Sequence, residues 1–174
     1  NGLQDLAARV LRTPVRAGDS FNDDPLRMMR AARFASQLNF EIAPDVLASM
    51  KDLAHRISII SAERVRDEFT KIIMSPNPRI GITLLVDTGL ADIVLPEIPK
   101  LRLEVDEHHH HKDVYEHSIT VLEQAIEHEE RLGGPNLVIR IAALLHDIGK
   151  PKTRAFIEGG GVSFHHHEVV GARL

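Results

Sequence analysis

Apolar residues in this chain return at intervals of three and four rather than two, so the pattern predicts helices nearly throughout and almost no strand. Helix starts are signed by capping residues and early prolines at Asp24-Pro25, Pro44-Asp45, Ser61 ahead of Ala-Glu-Arg, and Asn77-Pro78. Gly89 is expected to close the helix that begins at Pro78, because glycine takes the left-handed cap without a Cβ clash. Met28, Ala31, Ala35 and Leu38 form one apolar stripe and are expected to face a core. Leu84, Leu85, Val86, Leu90 and Ile93-Val94-Leu95 are expected to add to it. Farther on, residues 114–130 and 137–148 read as two more helices parted by Gly133-Gly134-Pro135. Gly159-Gly160-Gly161 reads as a turn tipping a short hairpin. Helices joined by short loops predict an all-α fold. Pro96-Glu-Ile-Pro99 is the expected boundary between a helical domain over 1–97 and a second over 98–174.

The polar positions change this picture at one place first. In Phe21-Asn-Asp-Asp-Pro-Leu-Arg-Met-Met-Arg-Ala-Ala-Arg-Phe34, Arg27, Arg30 and Arg33 recur every three residues behind Asp23-Asp24. Arginines so spaced lie on neighbouring helical rows and can converge on one polyanion, opposite the face that packs. The plainer reading is a solvated basic face, with Asp24 as the helix cap and Pro25 at the first helical position. The net charge of −4 argues against a dedicated nucleic-acid-binding domain, but its distribution is uneven. Residues 1–40 carry six Arg against four Asp, whereas residues 104–131 carry nine acids against two basic residues. The first stretch suits phosphate; the second repels it unless a metal intervenes. With no cysteine there are no disulfides or thiolate metal sites, and one Tyr and no Trp leave few stacking platforms for RNA. No apolar run approaches the roughly 20 residues of a membrane span. The expected location is the cytoplasm, with no membrane partner.

The Asp23-Asp24-x-x-Arg27 segment resembles the nucleotide-recognition motif of bacterial CCA-adding tRNA nucleotidyltransferases and poly(A) polymerases, whose pattern is Glu-Asp-x-x-Arg with further arginines at three-residue steps. Gly2-Leu-Gln-Asp-Leu6 and Arg12-Thr-Pro14 resemble that family's linker between catalytic head and neck, and Ser61-Ala-Glu-Arg-Val-Arg-Asp-Glu68 continues the likeness. The resemblance implies that Asp24 and Arg27 read the base of CTP or ATP, with Arg30 and Arg33 beside the triphosphate. Asp23 stands where the family has Glu. The tRNA acceptor arm is the implied partner, and Glu63, Arg64, Arg66 and Glu68 would brace the reading helix, although surface ion pairs are the plainer reading of their spacing. Lys71 and Arg79 are candidate tRNA contacts. The family's catalysis rests on an Asp-x-Asp pair holding Mg2+ in an upstream head, as phosphoryl transfer requires. No such pair occurs in these 174 residues, and the expectation is a fragment that does not transfer nucleotides by itself.

The histidines bring in a second chemistry. His108–His111 reads as a polar entry segment with adventitious metal affinity, since successive side chains on a helix diverge by about 100°. Ala142-Ala-Leu-Leu-His-Asp-Ile-Gly-Lys150 resembles the signature of HD-domain metal-dependent phosphohydrolases. The resemblance implies that His117, His146 and Asp147 hold a divalent transition metal of undetermined identity, with His167 and Lys150 as further site residues. Imidazole and carboxylate suit Mg, Mn, Co, Ni or Fe and leave positions open for water and phosphate. The plainer alternative is a helix end at which His146 and Asp147 make only local hydrogen bonds. Three functions follow: part of a CCA- or A-adding tRNA nucleotidyltransferase with an appended HD domain, an HD phosphohydrolase acting on nucleotides or cyclic phosphates, or a non-catalytic helical tRNA-binding module.

Overall fold

A computed structural model describes residues 2–103, 113–157 and 161–174, which leaves His108–His111 and Gly159-Gly160 outside the described residues. The chain separates into two compact units, residues 1–95 and 96–174. Both are built from helices, and among the described residues the only strands are two-residue pairs.

The first unit runs α1 (Gly2–Ala8), β1 (Val10–Leu11), α2 (Ala17–Asp23), α3 (Leu26–Leu38), β2 (Glu41–Ile42), α4 (Pro44–Leu53), a 3-10 segment (Ala54–Ile59), α5 (Ala62–Ile73), α6 (Pro78–Asp87) and α7 (Ala91–Val94). The proline and cap signals fall at the starts of α4, α5 and α6, and Gly89 takes φ +79° after α6. At α3 the Asp24 carboxylate accepts from the Leu26 amide at 3.2 Å, as a capping aspartate does. β1 and β2 pair in parallel through Val10–Glu41 and Leu11–Ile42, a contact too short for any alternation to announce.

α3 is the central helix and packs against both α5 and α6. Its buried face is Leu26, Met28, Met29, Ala32, Ala35 and Ser36. This corrects the expected stripe: Ala31 is only half-buried, and Leu38 is 50% exposed. With two helices flanking α3, the buried arc shifts toward Met29 and Ala32 and carries the last turn's Leu38 to the outside. Ile93 is likewise exposed rather than core. α6 reaches α3 closely because residue 81 is glycine; a Cβ there would overlap Ser36 Oγ and the Ile72 side chain.

The second unit contains a 3-10 turn (Pro99–Leu101), α8 (Val114–Glu127), a 3-10 turn (Glu129–Leu132), α9 (Leu137–Leu145), α10 (Lys150–Thr153), the antiparallel pair β3 (Ala155–Phe156) and β4 (Val162–Ser163), and α11 (His167–Gly171). α8 packs on α9 through Val114, Tyr115, Ile119 and Leu122 on one side and Leu144 on the other. Asp113 caps α8 by accepting from Tyr115 N at 3.0 Å, and Asn136 caps α9 by accepting from Val138 N and Ile139 N. α9 ends at Leu145, three residues before the expected Ile148, so that His146 and Asp147 lie on the turn leaving the helix. Beneath that packing lies a buried fork: Arg140 donates to both carboxylate oxygens of Glu129, at 2.6 and 2.7 Å. The Arg140 guanidinium holds the Glu129 carboxyl below its ordinary range, against the opposing effect of burial.

Candidate functional site

In the first unit, Asp23 ends α2, Asp24 forms the junction, and Arg27 lies in the first turn of α3. Arg27 Nη1 donates to the Ser20 carbonyl at 3.2 Å and to Ser20 Oγ at 3.1 Å, and lies 3.9 Å from Asp23 Oδ2. Arg64, reaching over from α5, places Nη2 3.2 Å from Asp24 Oδ2 and 3.5 Å from Oδ1. Arg27 and Arg30 line a cavity of about 480 Å³ together with Asp23, Ser20, Phe34 and Arg12. Asp24 and Arg33 lie outside its lining.

Arg33 turns instead toward Glu68, which is 4% exposed and belongs to α5. Arg33 Nε stands 2.7 Å from Glu68 Oε2, off the line of a hydrogen bond, so the contact is an ion pair. Lys71 Nζ lies 3.1 Å from Glu68 Oε1 and Arg30 Nε 3.9 Å. A buried carboxylate is stable only when paired, and here three cations from two helices pair it. Of the four charged residues read from this segment of sequence, Arg64 and Glu68 touch the α3 motif directly. Glu63 and Arg66 do not: Arg66 pairs with Asp67 at 3.2 Å, and the Glu63 carboxyl is lowered by its own backbone amide and the Ser61 hydroxyl.

In the second unit the site gathers on Asp147, which is 2% exposed. His117 arrives from the first turn of α8, and His146-Asp147 from the turn that ends α9. One ligand atom from each of the three lies within 4.8 Å of the others. His146 Nε2 is 3.1 Å and His117 Nε2 3.7 Å from Asp147 Oδ2, while His167 Nε2, at the start of α11, is 3.4 Å from Oδ1. Lys150 Nζ donates to Asp147 Oδ2 at 2.7 Å. His167 reaches the site because Gly149 lets α11 press against the loop; a Cβ at Gly149 would overlap the His167 carbonyl.

The donor set fits a divalent metal. The Ala143 carbonyl lies 2.8 Å from His146 Nδ1, and the Phe164 carbonyl 2.9 Å from His167 Nδ1. A carbonyl only accepts, so each Nδ1 donates to it, which leaves Nε2 as the ring nitrogen that faces Asp147 and is available to a metal. His117, His146 and Asp147 are the residues that would hold the metal, with His167 beside them. Bound there, it would act as a Lewis acid and lower the pKa of a water molecule. The protein's own residues orient the imidazoles through Ala143 and Phe164, bury the carboxylate, and place the Lys150 ammonium on Asp147 Oδ2.

Two family models match parts of this chain. Residues 39–101 match a family described as "Probable RNA and SrmB-binding site of polymerase A", and residues 114–174 match the HD domain family. The A-adding tRNA nucleotidyltransferase of Deinococcus radiodurans is 39% identical, over 99% of this chain and 40% of its own length. The multifunctional CCA protein of Hahella chejuensis is 35% identical, over 100% of this chain and 40% of its own. A crystal structure of the Bacillus stearothermophilus CCA-adding enzyme in complex with CTP aligns with a TM-score of 0.57 and 28% identity, over 82% of this chain and 35% of that one. The fold also matches a tRNA nucleotidyltransferase complexed with a primer tRNA and an incoming ATP analog, with a TM-score of 0.63 and 20% identity over 83% of this chain and 40% of that one. The chain thus spans about 40% of the length of the curated relatives it matches. It belongs to the family of bacterial CCA-adding tRNA nucleotidyltransferases and poly(A) polymerases, and corresponds to the part of them that carries the helical RNA-binding region and the HD domain.

Proposed function

We propose that this chain is the nucleotide-reading and tRNA-binding part of an enzyme that adds CCA, or A alone, to tRNA 3′ ends from CTP and ATP. The observation that carries the reading is the treatment of Asp24 and Arg27. Each is held by a residue outside the motif, Asp24 by Arg64 and Arg27 by Ser20, while Arg27 and Arg30 border one cavity. A carboxylate oxygen that accepts one hydrogen bond keeps another lone pair, and a guanidinium held at one nitrogen keeps further donors. Asp24 and Arg27 together therefore offer an acceptor and donors to a base edge, and the aim of those groups would decide which edge, cytosine's or adenine's, they match. Arg30, at the cavity wall, would meet the triphosphate, and Arg33 would join it only by leaving its pair with Glu68. The acceptor arm of tRNA is the partner. A catalytic head outside these residues would hold Mg2+ and activate the tRNA 3′ hydroxyl, so the chain alone would not transfer nucleotides. The test is CTP-versus-ATP choice in the full-length protein. Asp24→Ala or Arg27→Ala should scramble it at a temperature at which both variants remain folded.

The gathering of His117, His146 and Asp147 favours a second activity in the same protein, a metal-dependent phosphohydrolase acting on nucleotides or cyclic phosphates. His167 and Lys150 would complete its polar wall, and the Lys150 ammonium, bonded to Asp147, keeps further protons for a phosphate oxygen. That activity should survive Arg27→Ala and disappear with a chelator.

A further inference from the structure

We infer that Ser20 is a positioning residue for base selection, acting through the Arg27 guanidinium; the inference rests on the base-reading function proposed for Asp24 and Arg27. Ser20 lies on the inward face of α2 with Ala17 and Phe21 and is 3% exposed. A hydroxyl buried that deeply needs a hydrogen-bond partner, and its partner is the Arg27 guanidinium at 3.1 Å. The Ser20 carbonyl accepts from the same Arg27 Nη1 at 3.2 Å and from the backbone amide of Asp24 at 3.2 Å. The bond to the Asp24 amide is the one that closes α2 and needs no serine; the hydroxyl on Arg27 is the contact specific to Ser20.

The consequence is geometric. Among the described residues, the Arg27 guanidinium meets acceptors only through Nη1, at Ser20 and more distantly at Asp23. Nε and Nη2 remain as donors in a plane fixed by α2. An arginine side chain on an exposed helix face otherwise samples many rotamers, and each one aims the donors elsewhere. Fixing the plane makes the donors match one base edge and mismatch others, which is how discrimination arises from a group that attracts any nucleotide. Ser20 borders the same cavity as Arg27 and Arg30, so the hydroxyl acts at the wall of the proposed site.

The experiment compares wild type, Ser20→Ala, Arg27→Ala and the double variant in the full-length protein, with tRNA lacking its 3′ end and CTP or ATP. Ser20→Ala should reduce the CTP-to-ATP preference at the cytidine step about tenfold, the low end for a hydrogen bond to a charged group, because the carbonyl contact stays. The change should appear in KM rather than kcat, since Ser20 is remote from the bond being made. On the Arg27→Ala background Ser20→Ala should change nothing further. Ser20→Cys, nearly the same size but a weak acceptor, should fall between wild type and Ala and covers the case in which Ser20→Ala melts early. An unchanged preference in Ser20→Ala and Ser20→Cys, with Arg27→Ala scrambled, overturns the Ser20 assignment alone. An equal loss on both backgrounds also overturns it, because Ser20 would then act through packing. Unchanged preference in both Arg27→Ala and Asp24→Ala overturns the base-reading function, and the Ser20 assignment with it.

Discussion

Each unit of this protein buries a carboxylate among charged or ionisable partners, and the two carboxylates are satisfied in opposite ways. Glu68 in the first unit meets Arg33, Lys71 and Arg30, all permanent cations supplied by the chain. Asp147 in the second meets three imidazoles and one ammonium. Two of those imidazoles direct Nδ1 at a carbonyl and leave Nε2 facing the carboxylate. Glu68 is paired by fixed cations and ties α3 to α5. Asp147 keeps Lys150 on one oxygen and stands among side chains that could also ligate a metal. Burial alone therefore does not mark a candidate metal site; neighbours able to act as ligands do.

Glu129 extends the comparison, because the second unit also has a carboxylate completed from within, by Arg140. Glu129→Gln should have the largest effect, a loss of about 4 kcal/mol of stability at neutral pH, since it leaves a buried guanidinium poorly compensated. Its lowered pKa sets the sign of the pH dependence. The contribution is fully present above the ordinary carboxylate value of about 4.3 and is lost as pH falls through the lower folded value. Melting temperature followed into acid should drop more steeply for wild type than for Glu129→Gln. Parallel curves would mean that the fork contributes nothing.

Next in size, Asp147→Asn should weaken Co2+ binding about 100-fold or more by calorimetry, while Glu68→Gln leaves it untouched. Retained affinity in Asp147→Asn would break the contrast between the two acids. Glu68→Gln should instead cost about 2 kcal/mol in urea unfolding, less than Glu129→Gln because Arg30 and Lys71 are half-exposed and can turn to water. A neutral result would make Glu68 an incidental surface pair. The smallest effect belongs to His167→Ala, about tenfold in Co2+ affinity, since His167 reaches the other carboxylate oxygen. No change there would confine the site to His117, His146 and Asp147.

The helices were legible in sequence wherever a proline or capping side chain marked their starts, as at Pro44, Ser61 and Asn77-Pro78. Leu38 and Ile93 were not, because helical spacing identifies an apolar row but cannot say which row the neighbours cover. The β1–β2 pair and the 3-10 segment 54–59 carry no periodic signal long enough to read. At the candidate sites, the spacing of Arg27, Arg30 and Arg33 and the His146-Asp147 pair stand out locally, and the fold brings His117 to that pair. Long-range contacts leave no such trace. Arg64 finds Asp24 from 40 residues away, and Glu68, charged and helix-spaced like its exposed neighbours, is the one that turns inward. Ser20 carries no such mark, because a single serine in a short helix has no distinguishing pattern; only its distance to Arg27 sets it apart.

Whether Asp24 and Arg27 choose the base is read from single-nucleotide addition by the full-length protein to tRNA lacking its 3′ end. Labelled CTP and ATP are compared for wild type, Asp24→Ala and Arg27→Ala. If these residues choose, wild type adds nucleotides in order, either C, C and A or A alone, and both variants lose the choice while total binding of tRNA persists. Unchanged choice in the variants, or no addition by wild type alongside metal-dependent release of phosphate, would mean that they do not.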